Sequence, residues 1–167
     1  FRTYLDGLAR RYEKPSFIEA DPIAVPSGFD DPMDREVIGL YIASIEPRSG
    51  KSVVALGIME MLSRRVGRMG YFRPIISTGS NPDNNIELIR QRYNIGQTYQ
   101  DSFALTHDAA QELFTGDQGQ VVMKHIVDQF KQLQTKSQFI LCEGTDFTGV
   151  SSAFEFDINS EVAANLG

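Results

Sequence analysis

The chain has 167 residues, of which 41% are hydrophobic, and this length suits one domain with a buried core or one domain with an appendage. Its formal net charge of -6, with 16 scattered basic residues, argues against a nucleic-acid partner, because phosphate backbones require clustered Lys and Arg. Its sequence contains no apolar run of about 18 residues and no signal-peptide pattern, so we expect a cytoplasmic protein without a membrane partner.

The first 38 residues are predicted to form an appendage to the main domain, which we assign to residues 39–167. A short helix is indicated by apolar residues at helical spacing, namely Phe1, Tyr4, Leu5, Leu8 and Tyr12. Pro15 should end that helix, and Pro22, Pro26 and Pro32 keep the following segment extended and turning.

The segment "DPMDREVIGLYIAS" permits two interpretations. Asp31 or Asp34 could cap a helix that runs through Leu40, whereas "LYIASI" is typical of a buried strand. One boundary between elements must therefore lie inside this segment.

From residue 40 onward, predicted strands alternate with predicted helices. The strands are 40–45, 70–76 and 138–143, and the helices are 52–66, 82–93, a short helix from a Thr106 cap to 114, and 118–134. This order predicts an α/β fold with a parallel sheet covered by helices on both faces. The chain stops in the helical segment "EVAANLG", where another strand would normally follow, so we expect the sheet to be incomplete at its C-terminus.

Each long helix has a predicted buried face. For 52–66 it comprises Val54, Ile58, Met61 and Leu62, and for 118–134 it comprises Val122, Ile126, Phe130 and Leu133. Helix 82–93 should begin with Pro82 in its first turn and bury Ile86, Leu88 or Ile89, and Tyr93.

The loop "SIEPRSGKS" between the first strand and the first helix has the composition of a phosphate-binding loop. Gly50 permits a close backbone approach, Lys51 supplies an ammonium group, and Ser52 supplies a hydroxyl for magnesium at the start of a helix. The strict pattern would place its first glycine at position 45, which is Ile45. Arg48 adds a second positive group. The alternative is an ordinary strand-to-helix turn with a solvated lysine.

An acidic residue ends the last predicted strand. Glu143 follows "FILC", at the strand end where open α/β sheets bind ligands, and could hold Mg²⁺; Asp146 could do so instead. Glu143 could also be an acid that merely faces solvent. Cys142, the single cysteine, is predicted to be a small buried hydrophobic residue.

The segments "IASIEPRSGKSVVALGIMEML", "GRMGYFRPI", "CEGTDF" and "FDINSEVAANLG" together resemble the dethiobiotin-synthetase-like group of P-loop proteins. The resemblance is closer to the N-terminal domain of bacterial phosphate acetyltransferases and covers residues 40–167. It implies a loop one residue longer than the strict pattern, with Ser44 at the first-glycine position.

The resemblance also implies a set of site residues. Those for nucleotide binding are Glu46, Pro47, Arg48, Ser49, Gly50, Lys51 and Ser52, and those for magnesium are Ser52, Asp83 and Glu143. Arg73 stands where dethiobiotin synthetase has a substrate-contacting lysine, so the resemblance implies a possible anion-binding role.

In phosphate acetyltransferases, the resemblance implies, such a domain is regulatory and helps assembly, while a separate domain transfers the acetyl group. We therefore expect no acetyl transfer by this chain. Residues 1–38 are similar to a different, uncharacterised helical bacterial family, which suggests a natural or engineered chimera.

Two functions follow from these observations. The first is a P-loop domain that binds ATP or GTP with Mg²⁺ and hydrolyses it slowly at most. The second is a structural or regulatory interaction module with an idle loop. In either case an exposed sheet edge is expected to promote homo-oligomer formation.

Overall fold

The computed structural model describes residues 37–44, 49–77, 81–146 and 152–166, with side chains from 156 onward in the last range. The proposed appendage, residues 1–38, lies almost entirely outside the described residues, and so do its predicted helix and the chimera hypothesis. The division at residue 38 stays a prediction.

Four parallel strands form a single sheet. They are β1 (Ile38–Ile42), β2 (Met69–Ile76), β3 (Phe103–Thr106) and β4 (Phe139–Glu143), in the spatial order β1-β4-β2-β3. In the register of β1 and β4, Ile38 pairs with Phe139 and Ile42 with Glu143. The predicted α/β fold with a parallel sheet is confirmed.

Helices connect the strands and cover both faces of the sheet. They are α1 (Lys51–Leu62), α2 (Asn84–Tyr93), α3 (His107–Thr115), α4 (Gly119–Gln134) and α5 (Ser152–Leu166), with a 3-10 turn at Gln100–Ser102. The predicted Thr106 cap of α3 is confirmed, since the Thr106 hydroxyl accepts a hydrogen bond from the Ala109 amide. None of the helices within the described ranges is long and apolar enough to cross a membrane.

Two hydrophobic cores lie on opposite faces of the sheet. One packs α3, α4 and α5 against Phe72, Ile140 and Cys142, and includes the whole predicted stripe of Val122, Ile126, Phe130 and Leu133. The other packs α1 and α2 against Tyr71 and Leu141. Cys142 is buried as predicted, and burial raises the pKa of its thiol. The sheet is thus covered on both faces, as parallel sheets generally are.

Two strand predictions need correction. β1 occupies 38–42 instead of 40–45, so a helix running through Leu40 is wrong and the strand interpretation holds. β3 was not predicted at all. This strand has only four half-buried residues and is followed at once by α3. Its sequence is therefore too short to show the apolar run by which a strand is recognised.

The predicted buried face of α1 is half wrong, since Ile58 and Leu62 pack against the core but Val54 and Met61 do not. Val54 and Met61 are 54% and 58% exposed, whereas Lys51, Ala55 and Met59 face the sheet. Because α1 is apolar on nearly every side, periodicity could not single out one face. In α2, Ile89 is buried and Leu88 is exposed, and the helix begins at Asn84, with Pro82 preceding its cap.

Candidate functional site

The candidate site lies where the carboxyl ends of β1 and β4 meet the first turn of α1. Gly50 precedes the helix with a φ of 87°, and its carbonyl accepts hydrogen bonds from the amides of Val53 at 2.9 Å and Val54 at 3.3 Å. The amides of Lys51 and Ser52 precede these bonded donors and make no hydrogen bond to another described residue. A helix start with free amides attracts anions. Of the predicted loop, Glu46, Pro47 and Arg48 lie outside the described residues, and Ser49 is exposed.

Ser52 and Glu143 contact each other across the site. The Ser52 hydroxyl donates to Glu143 Oε1 at 2.8 Å, although the two residues are 91 positions apart. Glu143 is only 1% exposed at the end of β4. The structure therefore brings together a hydroxyl and a carboxylate that were both predicted to hold magnesium, and the solvent-facing alternative for Glu143 does not apply.

Two further residues complete the contacts of Glu143, and the sequence did not single them out. The Asn85 side-chain amide donates to Ser52 Oγ at 2.8 Å and to Glu143 Oε1 at 3.2 Å. The hydroxyl of fully buried Tyr71 donates to Glu143 Oε2. Burial, followed by the adjacent Glu143 charge, raises the pKa of Tyr71 well above its ordinary value, so the hydroxyl keeps its proton and donates.

Different sequence signals were available for these two residues. Asn85 lies two residues after the helix cap, in the polar run "NPDNN", where a side chain at a helix start can reach a ligand site. Tyr71 is an aromatic residue in a strand and is indistinguishable from an ordinary core residue.

Lys51 forms an ion pair with Asp146. The lysine side chain is 4% exposed and the aspartate side chain 31% exposed. Asp146 therefore lies beside the ammonium group of the loop, while Glu143 lies beside the hydroxyl. Each of the two strand-end acids has its own partner in the site.

Asp83 contacts Arg73 and the first turn of α2, and its hydrogen bonds within the described part of the chain do not involve Ser52 or Glu143. One of its oxygens caps α2 by accepting hydrogen bonds from the backbone amides of Asn85 at 3.0 Å and Ile86 at 3.1 Å. Its other oxygen accepts a hydrogen bond from Arg73. Burial alone would lower the pKa of the Arg73 guanidinium, but the surrounding negative charges, Asp83 foremost, outweigh burial and raise it. Coordination of a metal by Asp83 stays a prediction.

The oxygen donors at this site suit Mg²⁺, which prefers hard oxygen ligands and usually takes one or two from the protein, with water and substrate phosphates completing its shell. The Ser52 hydroxyl and the Glu143 carboxylate fit that requirement. Among the described residues there is no group of three or more His, Cys, Asp or Glu side chains that could hold a metal by themselves. A metal here would thus depend on phosphate oxygens.

A cavity of about 290 Å³ lies at the opposite edge of the sheet. It is lined by residues next to the C-terminal ends of α1, α2 and α4, among them Ser63, Asn94 and Lys136. Helix C-termini carry partial negative charge and disfavour phosphates. We therefore place the candidate site at the carboxyl edge, as expected for an open α/β sheet.

Comparisons with known proteins identify the family of this part of the chain. Residues 38–167 match the model of a family described as AAA domain. The chain is 42% identical over 130 residues to a protein named phosphate acetyltransferase from Nitratidesulfovibrio vulgaris, covering 77% of the chain. It is also 42% identical over 129 residues to a protein of the same name from Synechocystis sp., covering 76% of the chain.

The chain spans 18% of the length of each of these two relatives. The resemblance to the P-loop domain of phosphate acetyltransferases, inferred for residues 40–167, is confirmed. The Gly50-Lys51-Ser52 sequence lies at the start of a helix within this matched region. Through residues 38–167, the chain belongs to the AAA domain family of P-loop proteins.

Proposed function

We propose that this chain binds a nucleoside triphosphate, ATP or GTP, together with Mg²⁺ at the carboxyl edge of its sheet. The observation that carries the proposal is the 2.8 Å contact between Ser52 and Glu143 beside Lys51 at the start of α1. That arrangement supplies an ammonium group, two helix amides without a hydrogen-bond partner among the described residues, and two oxygen ligands within one site.

Each residue has a separate role in this proposal. Lys51 and the amides of the loop contact the outer phosphates, while Ser52 and Glu143 would hold Mg²⁺, which screens phosphate charge when bound. On the sequence pattern alone, Glu46, Pro47, Arg48 and Ser49 are proposed to take part in nucleotide binding, with Arg48 as a second cation. Asp83 can join the metal only if its ion pair with Arg73 opens, and Asn85 lies nearer to Ser52.

Arg73 is proposed to bind an anionic group of a second ligand. Its side chain is 12% exposed, and its Nε is buried without a hydrogen-bond partner among the described residues. Hydrolysis is proposed to be slow at most, because the two nearest acids already contact Lys51 and Ser52.

For residues 38–167 we propose a regulatory P-loop domain that does not itself transfer acetyl groups. The supporting observation is that the matched region makes up 18% of the relatives named phosphate acetyltransferase. A cytoplasmic location is part of the same proposal.

Isothermal titration with Mg-ATP and with Mg-GTP tests nucleotide binding, using Lys51→Ala and, as control, Lys124→Ala on the exposed face of α4. The Lys124 side chain is 76% exposed, so its loss removes one charge without touching the site. We expect heat of binding with the natural sequence and with Lys124→Ala, and none with Lys51→Ala. Equal binding by all three folded proteins would contradict the proposal.

The second candidate function is an interaction module that assembles through the outer edge of β1. Ile38 and Leu40 of β1 are 65% and 40% exposed. On α1, Leu56 and Glu60 contact α2, and by helical spacing the exposed Val54 and Met61 project from a different side of the helix. Among the described residues β1 is an edge strand of the sheet, and its exposed apolar side chains border that edge.

A second copy of the chain is the proposed occupant of this surface. Its four exposed side chains, Ile38, Leu40, Val54 and Met61, carry no charge, and a two-fold interface requires self-complementarity. Two copies of the chain, each with a net charge of -6, repel each other electrostatically. This repulsion is weakest when they associate through a surface without charged side chains. Sedimentation velocity should show a dimer that Leu40→Glu dissociates and that Leu88→Glu, on the exposed side of α2, leaves intact. A monomer at every concentration would contradict this proposal.

A further inference from the structure

The ion pair between Lys51 and Asp146 joins two elements that the sequence separates by 95 positions. Lys51 opens α1, and Asp146 lies three residues beyond the end of β4. With its side chain 4% exposed, the lysine is nearly withdrawn from water. A buried ammonium group needs a negative partner, because its transfer out of water is costly.

The backbone next to Asp146 is held in place by α5. The Asn159 side chain accepts a hydrogen bond from the Thr145 amide and donates one to the Thr145 carbonyl, both at 3.1 Å. The Thr145 hydroxyl donates to the Ile75 carbonyl of β2 at 2.8 Å. At Gly144 an added Cβ would lie 2.5 Å from Asn159 Oδ1, so the hydrogen bonds between Asn159 and Thr145 also require a glycine at position 144. The position of Asp146 is therefore fixed by the fold.

The two acids near the loop have separate partners. Glu143 contacts Ser52, Asn85 and Tyr71, whereas Asp146 contacts Lys51. Of these two candidates for the metal, only Glu143 lies next to the Ser52 hydroxyl. Asp146 is thus in a position to neutralise the lysine and not to assist the metal.

We infer that Asp146 competes with the phosphates of the ligand for Lys51, so that binding must exchange this carboxylate for phosphate oxygens. This inference rests on the proposed nucleotide-binding function. Exchange of one carboxylate for a singly charged anion gives little electrostatic gain, whereas a chain of phosphates brings several charges to the lysine and the helix start. A polyphosphate can therefore offset the loss of the ion pair more readily than a single anion can.

Asp146→Asn tests the competition, because it removes the negative charge and keeps the size of the side chain. We expect Mg-ATP or Mg-GTP to bind about tenfold more tightly, or better, by isothermal titration. Inorganic phosphate, where it displaces Asp146 from Lys51, should gain affinity by a similar factor, because the same ion pair is broken. The matched control is Asp128→Asn, which removes one charge from the exposed face of α4. Unchanged or weaker nucleotide binding by Asp146→Asn would overturn the inference.

A second measurement examines the ion pair without any nucleotide. The midpoint of thermal unfolding is compared for the natural chain, Lys51→Met, Asp146→Asn and the double variant. Because Asp146→Asn alone leaves a buried ammonium group unpaired, we expect the double variant to lose less than the sum of the two single losses. Additive losses would show that the side chains do not interact and would overturn the inference.

Together the two measurements separate this inference from the proposed function. Coupled stabilities with no nucleotide binding by either the natural chain or Asp146→Asn would refute both the nucleotide site and the competition, and leave a structural ion pair. Nucleotide binding that is equal in both proteins would refute the competition alone.

Discussion

The Ser52 hydroxyl lies 2.8 Å from Glu143 Oε1 and thereby joins the first turn of α1 to the last residue of β4. A residue at the start of a helix and a residue at the end of a buried strand are both fixed by backbone structure. Neither can move far without breaking α1 or the pairing of β4 with β1 and β2. The site is therefore carried by rigid elements and not by long loops.

Glu143→Gln is expected to weaken Mg²⁺-dependent nucleotide binding roughly 10- to 100-fold, the range that corresponds to losing one charged hydrogen-bonding interaction. The substitution keeps the shape of the side chain and a carbonyl oxygen for Ser52, while it removes the negative charge that would hold the metal. Isothermal titration with and without EDTA measures the effect. If the affinity of the variant depends on Mg²⁺ as strongly as that of the natural chain, Glu143 does not hold the metal.

Gly50→Ala and Gly57→Ala should change stability in opposite directions. Gly50 has a φ of 87°, so an alanine there costs about 1–2 kcal/mol, although no described atom lies within 4 Å of the added Cβ. Gly57 lies in the exposed middle of α1 with equal space, so alanine should stabilise the helix by about 0.5–1 kcal/mol. Urea unfolding of both variants measures the two changes.

Both glycines have open surroundings, but Gly50 precedes α1 in a left-handed conformation whereas Gly57 lies inside the helix, so the comparison tests backbone conformation. Equal effects would mean that Gly50 does not adopt the left-handed conformation in solution. In that case the amides of the phosphate-binding loop would have a different arrangement.

The local parts of this site could be predicted from the sequence, and its long-range contacts could not. Gly50, Lys51 and Ser52 form a contiguous pattern, and Glu143 ends a conspicuous apolar strand. In contrast, Asn85 and Tyr71 reach Glu143 only because β2 and β4 are neighbours and α2 packs beside α1, which no local pattern reveals. Asn159 was missed for the same reason, since its role depends on where α5 packs.

The same distinction explains the errors in the fold. The stripe on α4 was predicted correctly because its other faces are polar, so the apolar residues select one side. The helix α1 is apolar on nearly all sides, so its buried residues are determined by how the helix packs on the sheet and not by its own sequence pattern. Strand β3 owes its existence to pairing with β2, as in the register of Ile75 with Leu105.

Asn159→Ala is expected to lower the free energy of unfolding by about 3 kcal/mol, because buried groups lose their partners. The side chain is 3% exposed and bonds both the backbone of Thr145 and the hydroxyl of Tyr41, at 2.8 Å for the latter. The control is Asn165→Ala on the exposed side of the same helix, which should change stability by no more than about 0.5 kcal/mol. Equal small losses would show that Asn159 does not hold the loop before Asp146.

Tyr71→Phe should alter how stability depends on alkaline pH. Burial, and then the Glu143 charge, raises the pKa of Tyr71 well above 10.0 in the folded protein. The unfolded chain gives up this proton near pH 10 while the folded chain keeps it, so the contribution is constant below pH 10 and is lost as pH rises further. Tyr41, whose pKa is also raised by burial, acts in the same direction.

Urea unfolding between pH 8 and about pH 11 measures this dependence. At neutral pH, Tyr71→Phe should cost about 1.5–3 kcal/mol, because Glu143 loses a hydrogen-bond donor. Above pH 10 its stability should fall less steeply than that of the natural chain, by about 1.4 kcal/mol per pH unit for the one missing group. Tyr41→Phe should flatten the alkaline slope in the same way. Curves for Tyr71→Phe and the natural chain that stay parallel above pH 10 would show that the Tyr71 hydroxyl ionises in the folded protein, and that it does not sit beside the buried carboxylate of Glu143.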